Sequence, residues 1–164
     1  MEKNKERYDR IVEHEAFGHY LQEINELEKD RIYCRHNLIH LLDVARIAYI
    51  INLEKEIGLS KDIIYGAALL HDIGKLEQYR EKIPHEVTGA EKAVRILAEC
   101  GYEESEIEMI KNAILDHRRG PKEEGRRLSE ILYEADKKSR ICIYCQAKTD
   151  CNWTEEAKNS RIDY

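Results

Sequence analysis

The pair His71-Asp72 constrains this chain more than any other feature of its sequence. It lies in the run AALLHDIGK (residues 67–75), where an apolar helical stretch takes up two metal-type ligands and then reaches a glycine. Burying an imidazole beside a carboxylate costs free energy unless new partners replace the lost water. A divalent cation is such a partner, because both groups are good metal ligands.

Further candidate ligands lie on both sides of this pair. Mixed histidine and carboxylate ligands favour iron, manganese, zinc, nickel or cobalt over magnesium, which prefers oxygen. We therefore predict one or two divalent transition-metal ions in a hydrolytic site. Its candidate ligands all occupy helical or helix-edge positions: His36 upstream, and His85, His117 and Asp136 downstream.

Composition predicts one helical domain. The chain has 164 residues with only two prolines and eight glycines, which leaves little room for long irregular segments. We expect an all-α fold in a single domain spanning residues 1–164. Its parts would be an N-terminal helix over residues 4–30, a core over about residues 31–140, and a cysteine-containing tail over residues 141–164.

Capping residues and apolar spacing predict where the helices begin and end. The N-terminal helix is expected to break near Gly18, and the longest helix to run from His36 to Ile57 before Gly58. Ser60 would cap the helix that carries His71-Asp72. Further helices are expected after two capping-box patterns and near the C-terminus: Thr88 with Glu91, Ser105 with Glu108, a helix from about Leu128 past Asp136, and a short last helix capped by Thr154.

Charge and hydropathy limit the kinds of molecule that this protein is expected to bind. The net charge of −6 argues against a non-specific nucleic-acid binder, which usually carries a basic surface. The sequence has no run of about twenty apolar residues, and its charged first residues are not followed by an apolar signal region. We expect a cytoplasmic protein without a membrane partner. A nucleotide substrate is compatible with this charge, because local arginines and a metal can outweigh it.

The order of His36, His71-Asp72 and Asp136 resembles the HD superfamily of metal-dependent phosphohydrolases, in the branch that reads HDIGK. The resemblance covers roughly residues 31–140. His85 and His117 make the chain more similar to the two-metal, YqeK-like members, and it lacks the GYP signature of the cyclic-dinucleotide branch. The resemblance implies an HD-domain bundle of about six or seven helices.

The resemblance also implies hydrolysis of a nucleotide or another small phosphate ester or anhydride through a metal-activated water. His36, His71, Asp72 and Asp136 would hold the first metal, and His85 and His117 would complete a second, about 3.5–4 Å away. Asp72 would also orient or deprotonate the water, and Lys75 would stabilise the phosphoryl oxygens. His40, four residues after His36, is interpreted as packing or as support for a ligand.

A basic loop follows His117. Its cations, Arg118, Arg119 and Lys122, are either phosphate contacts or a solvated loop tip.

The cysteines form a second pattern. Cys142 lies six residues beyond Asp136, about 9 Å along a helix, and Cys34 lies two residues before His36. If Asp136 and His36 meet at one metal, four thiols could meet as well and hold a structural zinc: Cys34, Cys142, Cys145 and Cys151. The alternatives are an iron–sulfur cluster, reduced thiols or a redox pair. Cys100, at a predicted helix end, is interpreted as a packed thiol.

Two other functions are compatible with the same residues. One is a non-catalytic, metal-containing module that senses a ligand. The other is a di-iron oxygenase, since a helical site with two irons can activate dioxygen. The intact ligand set and the position of Lys75 favour the hydrolase.

Overall fold

The computed structural model describes residues 5–164 and confirms the all-α fold. Within this range there are eight helices and no strand, where six or seven helices were expected. They are α1 (Arg7–Glu13), α2 (Glu15–Leu27), α3 (Leu38–Glu54), α4 (Lys61–Leu70), α5 (Lys75–Glu81), α6 (His85–Glu99), α7 (Glu104–Asp116) and α8 (Arg127–Lys138).

Helix α4 forms the centre of the bundle. It packs against α1, α3, α6, α7 and α8, and every residue from Gly66 to Leu70 is buried. Ser60 caps this helix as predicted, because its hydroxyl accepts a hydrogen bond from the Ile63 amide at 3.3 Å. Since α4 ends at Leu70, the chain delivers His71 and Asp72 directly into the core, where both are buried.

The N-terminal helix breaks at His14 and not, as expected, near Gly18. His14 is extended (φ −68°, ψ 127°), and its ring nitrogen accepts a hydrogen bond from the amide of Ala16 at 3.2 Å. His14 therefore caps α2, and Gly18 lies inside that helix. The predicted start at Asn4 lies outside the described residues.

Other helix starts also differ from the sequence-based expectation. Helix α3 begins after Asn37, whose side chain accepts from the His40 amide at 3.1 Å, so His36 lies outside the helix. Helix α6 begins at His85, before the predicted cap at Thr88. Gly74 was expected to end a helix, and α5 begins directly after it at Lys75. The capping box of α7 uses Glu103 with Glu106 instead of the predicted Ser105 with Glu108. Thr154 caps a turn, not a helix.

Gly74 permits a close approach between two segments of the site. A Cβ atom at this position would lie 2.1 Å from the backbone oxygen of His85 and 2.5 Å from the backbone nitrogen of Gly89. The Thr88 hydroxyl donates to the Gly74 carbonyl at 3.3 Å across the same contact. Because φ at Gly74 is an ordinary −76°, the glycine is needed for space and not for conformational freedom.

The segment from residue 139 to the C-terminus has turns but no helix or strand. Nowhere in residues 5–164 does a helix combine the length and apolar character that crossing a membrane requires.

Replacing Gly74 by alanine is expected to destabilise the fold, because the added methyl group overlaps backbone atoms at the start of α6. Overpacking of this kind costs about 1–3 kcal/mol of unfolding free energy. Gly18→Ala is the matched control, since a Cβ added there would have nothing within 4 Å and alanine is the better helix former. Urea denaturation should show a loss for G74A and no loss for G18A; equal midpoints would contradict the assignment.

Candidate metal centre

The site is assembled from helix ends. Helix α3 supplies His40 from its first turn, and the chain leaving α4 supplies His71 and Asp72. His85 is the first residue of α6, and His117 follows the last residue of α7. Asp136 comes from the last turns of α8. Five helices must therefore pack correctly before these side chains meet.

One cluster of ligand atoms surrounds the Oδ2 atom of Asp72. His40, His71, Asp72 and Asp136 each place one ligand atom within 4.8 Å of the others. The Nε2 atoms of His40 and His71 lie 3.2 and 3.1 Å from Asp72 Oδ2. The same two nitrogens lie 3.5 and 3.7 Å from Asp136 Oδ1. Two imidazoles and two carboxylates thus converge on one point.

A second cluster faces the other oxygen of Asp72. Here Asp72, His85 and His117 place their ligand atoms within 4.8 Å of one another. The Nε2 atoms of His85 and His117 lie 3.4 and 3.7 Å from Asp72 Oδ1, and 3.0 Å from each other. Asp72 belongs to both clusters, so its carboxylate has the geometry of a bridge between two cation positions.

Hydrogen bonds to the Nδ1 atoms direct the Nε2 atoms inwards. His71 Nδ1 donates to the Ala68 carbonyl at 2.7 Å, and His117 Nδ1 donates to the Ile114 carbonyl at 2.6 Å. Both acceptors lie in the last turn of a helix, where carbonyls lack an intrahelical partner. His85 Nδ1 contacts the amide oxygen of Gln78. Fixing the Nδ1–H tautomer in this way leaves the Nε2 lone pair for a metal.

His71 provides a direct test of whether a cation fits this site. Its side chain has no exposed surface, and its Nε2 atom has no hydrogen-bond partner of good geometry although two carboxylates lie close. Burial lowers the pKa of His71, but Asp72 and Asp136 outweigh burial and raise it to about 10. The surroundings of this nitrogen therefore favour a positive charge there, which a divalent metal would supply.

Four of the other ligand groups, His40, Asp72, His85 and Asp136, have the protonation states that metal ligands need. Burial favours the neutral acid, yet the imidazoles around Asp72 and the His71 ring beside Asp136 hold both carboxyl pKa values well below their usual range. Burial lowers the pKa of His40 to about 4 and that of His85 to about 2. Ionised carboxylates and neutral imidazoles bind divalent metals.

His36 is not part of either ligand cluster, in contrast to the sequence-based assignment. Its Nε2 atom lies 4.0 Å from Asp72 Oδ2, and its Nδ1 atom contacts Glu28, the residue that follows α2. The Glu28 carboxylate also accepts from the His36 amide at 2.7 Å and from the Tyr79 hydroxyl. His40, expected to pack or to support a ligand, lies inside the first turn of α3 and belongs to the first cluster in the place expected for His36.

The sequence contains a signal that distinguishes His40 from His36 as the member of the first cluster. Asn37 is a good N-cap residue, which places His36 before the helix and His40 within it. Sequence reasoning also missed Glu28, Gln78 and Arg140. Nothing in the sequence separates Glu28 from the exposed glutamates of the helix that precedes it, whereas Arg140 lies four residues after Asp136, a spacing that places two side chains on one helical face.

A small cavity of about 200 Å³ opens onto the two clusters. Lys75 lines it, with its Nζ atom 3.9 Å from Asp72 Oδ1, and burial lowers the pKa of this lysine. Arg118 and Arg140 also line the cavity, and Arg140 Nη2 lies 3.0 Å from His40 Nε2. Of the three loop cations predicted to contact phosphate, only Arg118 lines this cavity; Arg119 and Lys122 are exposed.

The four cysteines of the predicted zinc site line a neighbouring cavity. Cys34, Cys142, Cys145 and Cys151 share it, and His36, Arg140 and Trp153 line both cavities. Among the described residues, the groups whose possible ligand atoms all lie within 4.8 Å of one another are the two around Asp72. The four sulfur atoms do not form such a group. Cys100 is buried in the core, away from this group, as expected for a packed thiol.

Comparisons with known proteins agree with this geometry. The model of the HD domain family matches residues 37–146, a range that includes His40 and excludes His36. An uncharacterized protein of Clostridium beijerinckii is 46% identical over 159 residues, covering 97% of this chain and 99% of the relative.

Two further similarities are more distant. Ribonuclease Y of Clostridium tetani is 31% identical over 104 residues, which are 63% of this chain but only 18% of that enzyme. The crystal structure of a predicted HD superfamily hydrolase from an uncultured Thermotogales bacterium aligns with a TM-score of 0.61 at 26% identity, covering 87% of this chain and 81% of the other.

Matched substitutions at His40 and His36 test the assignment of the ligand. H40Q should weaken metal binding by more than the roughly 10- to 100-fold that follows loss of an outer hydrogen-bonding partner. H36Q, which keeps a donor for Glu28, should stay within that range. Titration with a metal chelator, followed by elemental analysis, measures both. Weaker metal binding by H36Q than by H40Q would indicate that His36, and not His40, is the ligand.

The buried Glu28 should make stability depend on pH. Burial raises the pKa of Glu28, but hydrogen bonds from His36 and Tyr79 outweigh it and lower the value to about 2 from the ordinary 4.5. The ionised carboxylate therefore stabilises the fold fully above about pH 4.5, and this stabilisation is lost as the pH falls towards 2.

We expect E28Q to flatten the dependence of the unfolding free energy on pH between pH 4.5 and 2, relative to the native chain. E26Q, two residues earlier and at the end of α2, is the control, because Glu26 is exposed. Denaturant titrations at several pH values compare the three proteins. Parallel curves for E28Q and the native chain would show that Glu28 does not carry this effect.

Proposed function

This chain belongs to the HD domain family, and from this premise we propose that it is a metal-dependent phosphohydrolase. The substrate proposed is a nucleotide or another small phosphate ester or anhydride. The observation that carries the proposal is the position of Asp72, whose two carboxylate oxygens face two separate groups of imidazoles.

The residues of the chain have distinct roles in this proposal. His40, His71, Asp72 and Asp136 would hold one metal, and Asp72, His85 and His117 would hold the other. Divalent ions bound there would lower the pKa of a bound water towards about 7 and polarise a phosphoryl oxygen. The carboxylates of Asp72 and Asp136, ionised at neutral pH, are the nearest groups that can orient that water and accept its proton.

Cations around the small cavity suit a phosphoryl group. Lys75 is held near Asp72 by its place at the start of α5, and Arg118 and Arg140 lie on the rim of the same space. Their positive charges would bind the phosphate oxygens and stabilise the charge that develops during hydrolysis. A guanidinium can contact two of these oxygens at once.

The size of the small cavity indicates that only part of the substrate would bind inside it. A volume of about 200 Å³ is below the roughly 300–1,000 Å³ of pockets that hold whole small molecules. The phosphoryl group would occupy it, and the rest of the substrate would extend past Arg140 and Trp153. The indole of Trp153 offers an aromatic face at this boundary, which favours a substrate with a flat ring such as a nucleobase.

A panel of phosphorylated compounds tests the activity. The purified chain, loaded in turn with iron, manganese, zinc, nickel or cobalt, is assayed on nucleoside phosphates, dinucleoside polyphosphates, aryl phosphomonoesters and phosphodiesters. Single-stranded RNA is included because of the similarity to ribonuclease Y. Metal-dependent release of phosphate or nucleotide supports the proposal. Nucleotide binding without turnover, beside an active reference HD enzyme, would favour the sensor instead.

The role of Lys75 can be separated from metal binding. K75M removes the positive charge but keeps the length of the side chain, and the loss of one such stabilising group lowers kcat by about 10²- to 10³-fold. Metal content should be unchanged. K111M is the control, because Lys111 lies on α7 in an ion pair with Glu108. If K75M lost no more activity than K111M, Lys75 would have no part in catalysis.

A further inference from the structure

Four of the five cysteines lie around one cavity next to the candidate active site. Cys34 comes from the segment before α3, whereas Cys142, Cys145 and Cys151 come from the segment after α8. All are free thiols. We propose that these four cysteines bind a structural zinc ion, a role separate from the metals around Asp72.

The C-terminal segment lacks another source of stability. It is irregular from residue 139 onward, and the only apolar residues buried in this fully described segment are Cys142 and Ala147. Larger apolar side chains there, such as Ile141 and Ile162, are more than 70% exposed. A segment with so little core usually needs a covalent or metal cross-link to hold one conformation.

A backbone hydrogen bond closes a tight turn between two of the cysteines. The amide of Cys145 donates to the carbonyl of Cys142 at 3.3 Å, and Tyr144 between them has a left-handed conformation with φ of 57°. Such a conformation is uncommon for a bulky residue. The Tyr144 side chain is 99% exposed, so packing of the ring does not explain it. A tight turn between two ligands of one ion does.

Other contacts anchor this segment to the rest of the fold. The side-chain amide of Asn159 donates to the carbonyls of Lys137 and Arg140, both at 2.7 Å, at the end of α8. On the opposite side, the Tyr33 hydroxyl donates to the carbonyl of Asp150 at 3.3 Å, next to Cys34 and Cys151. The C-terminal segment is therefore tied to the end of α8 and to the segment that carries Cys34 before any ion is considered.

Charge around the cavity suits a thiolate site. On binding zinc, each thiol releases its proton to solvent, and one divalent ion with four thiolates carries a net charge of −2. Cationic side chains line the same cavity and offset this charge: Arg31, Arg140, Lys148 and Lys158.

Zinc binding requires the sulfurs to close in further. A zinc–sulfur bond is about 2.3 Å long, so the four sulfurs of a tetrahedral site lie much closer together than a shared cavity requires. The turns between Cys142 and Cys151 can make this adjustment without disturbing a helix, because that stretch contains none. Closure would also fix Trp153, two residues after Cys151, at the boundary of the two cavities.

X-ray absorption at the zinc edge tests the proposal on the full chain, reconstituted with zinc under reducing conditions. To remove the contribution of the other metals, the measurement is made in the H71A/D72A background as well as in the native chain. We expect one zinc per chain with four sulfur neighbours in the H71A/D72A background, and the same sulfur-bound zinc in the native chain in addition to any zinc bound around Asp72. Zinc surrounded only by nitrogen and oxygen, or visible absorption of an iron–sulfur cluster, would overturn the proposal.

Matched serine substitutions provide a second measurement. C145S should lose the sulfur-bound zinc and expose the segment after residue 139 to limited proteolysis, whereas C100S, outside the cavity, should keep both the zinc and the resistance. Equal zinc in C145S and the native chain would also overturn the proposal. Loss of activity towards phosphate esters has no bearing on this result, because zinc coordination and proteolysis are read without substrate.

Discussion

The carboxylate of Asp72 is the interaction on which the rest of the site depends. Six groups that can carry positive charge lie within 4.0 Å of its two oxygens: the rings of His36, His40, His71, His85 and His117 and the ammonium of Lys75. A buried carboxylate is tolerated only if such partners replace water. Helix α4 places it there by being apolar along its whole buried length and ending one residue before His71. A fully buried apolar helix end and a buried carboxylate thus lie within two residues of each other in sequence.

Around this centre, charge is arranged in two layers. The inner layer holds two ionised carboxylates and imidazoles whose Nε2 lone pairs face inwards. The outer layer fixes them: carbonyls at the ends of α4 and α7 hold His71 and His117, the amide of Gln78 holds His85, and the buried Glu28 holds His36 with help from Tyr79. His36 thereby lines the small cavity beside the two ligand clusters. Because its Nε2 atom lies 4.0 Å from Asp72 Oδ2, it is not one of the closely grouped ligands.

The sequence identifies the parts of this site that depend on local pattern. His71 and Asp72 stand out because they interrupt an apolar run, and His85, His117 and Asp136 are placed by helix ends that periodicity can locate. The choice between His36 and His40 needs the helix start, because residues four apart share one helical face. Glu28 and Gly74 cannot be found from local pattern, since their roles come from contacts with residues distant along the chain: Tyr79 in one case, His85 and Gly89 in the other.

Because the ligands come from five helices, an unfolded chain scatters them and has little affinity for the same ions. An ion that binds only the folded chain adds to its stability in proportion to the logarithm of the free ion concentration. At 100 times the dissociation constant this is about 2.7 kcal/mol, a large share of the stability of an ordinary domain. The concentration of free metal in the cell would then set how long each molecule survives proteolysis, so that the amount of this protein would follow the supply of the ion it uses.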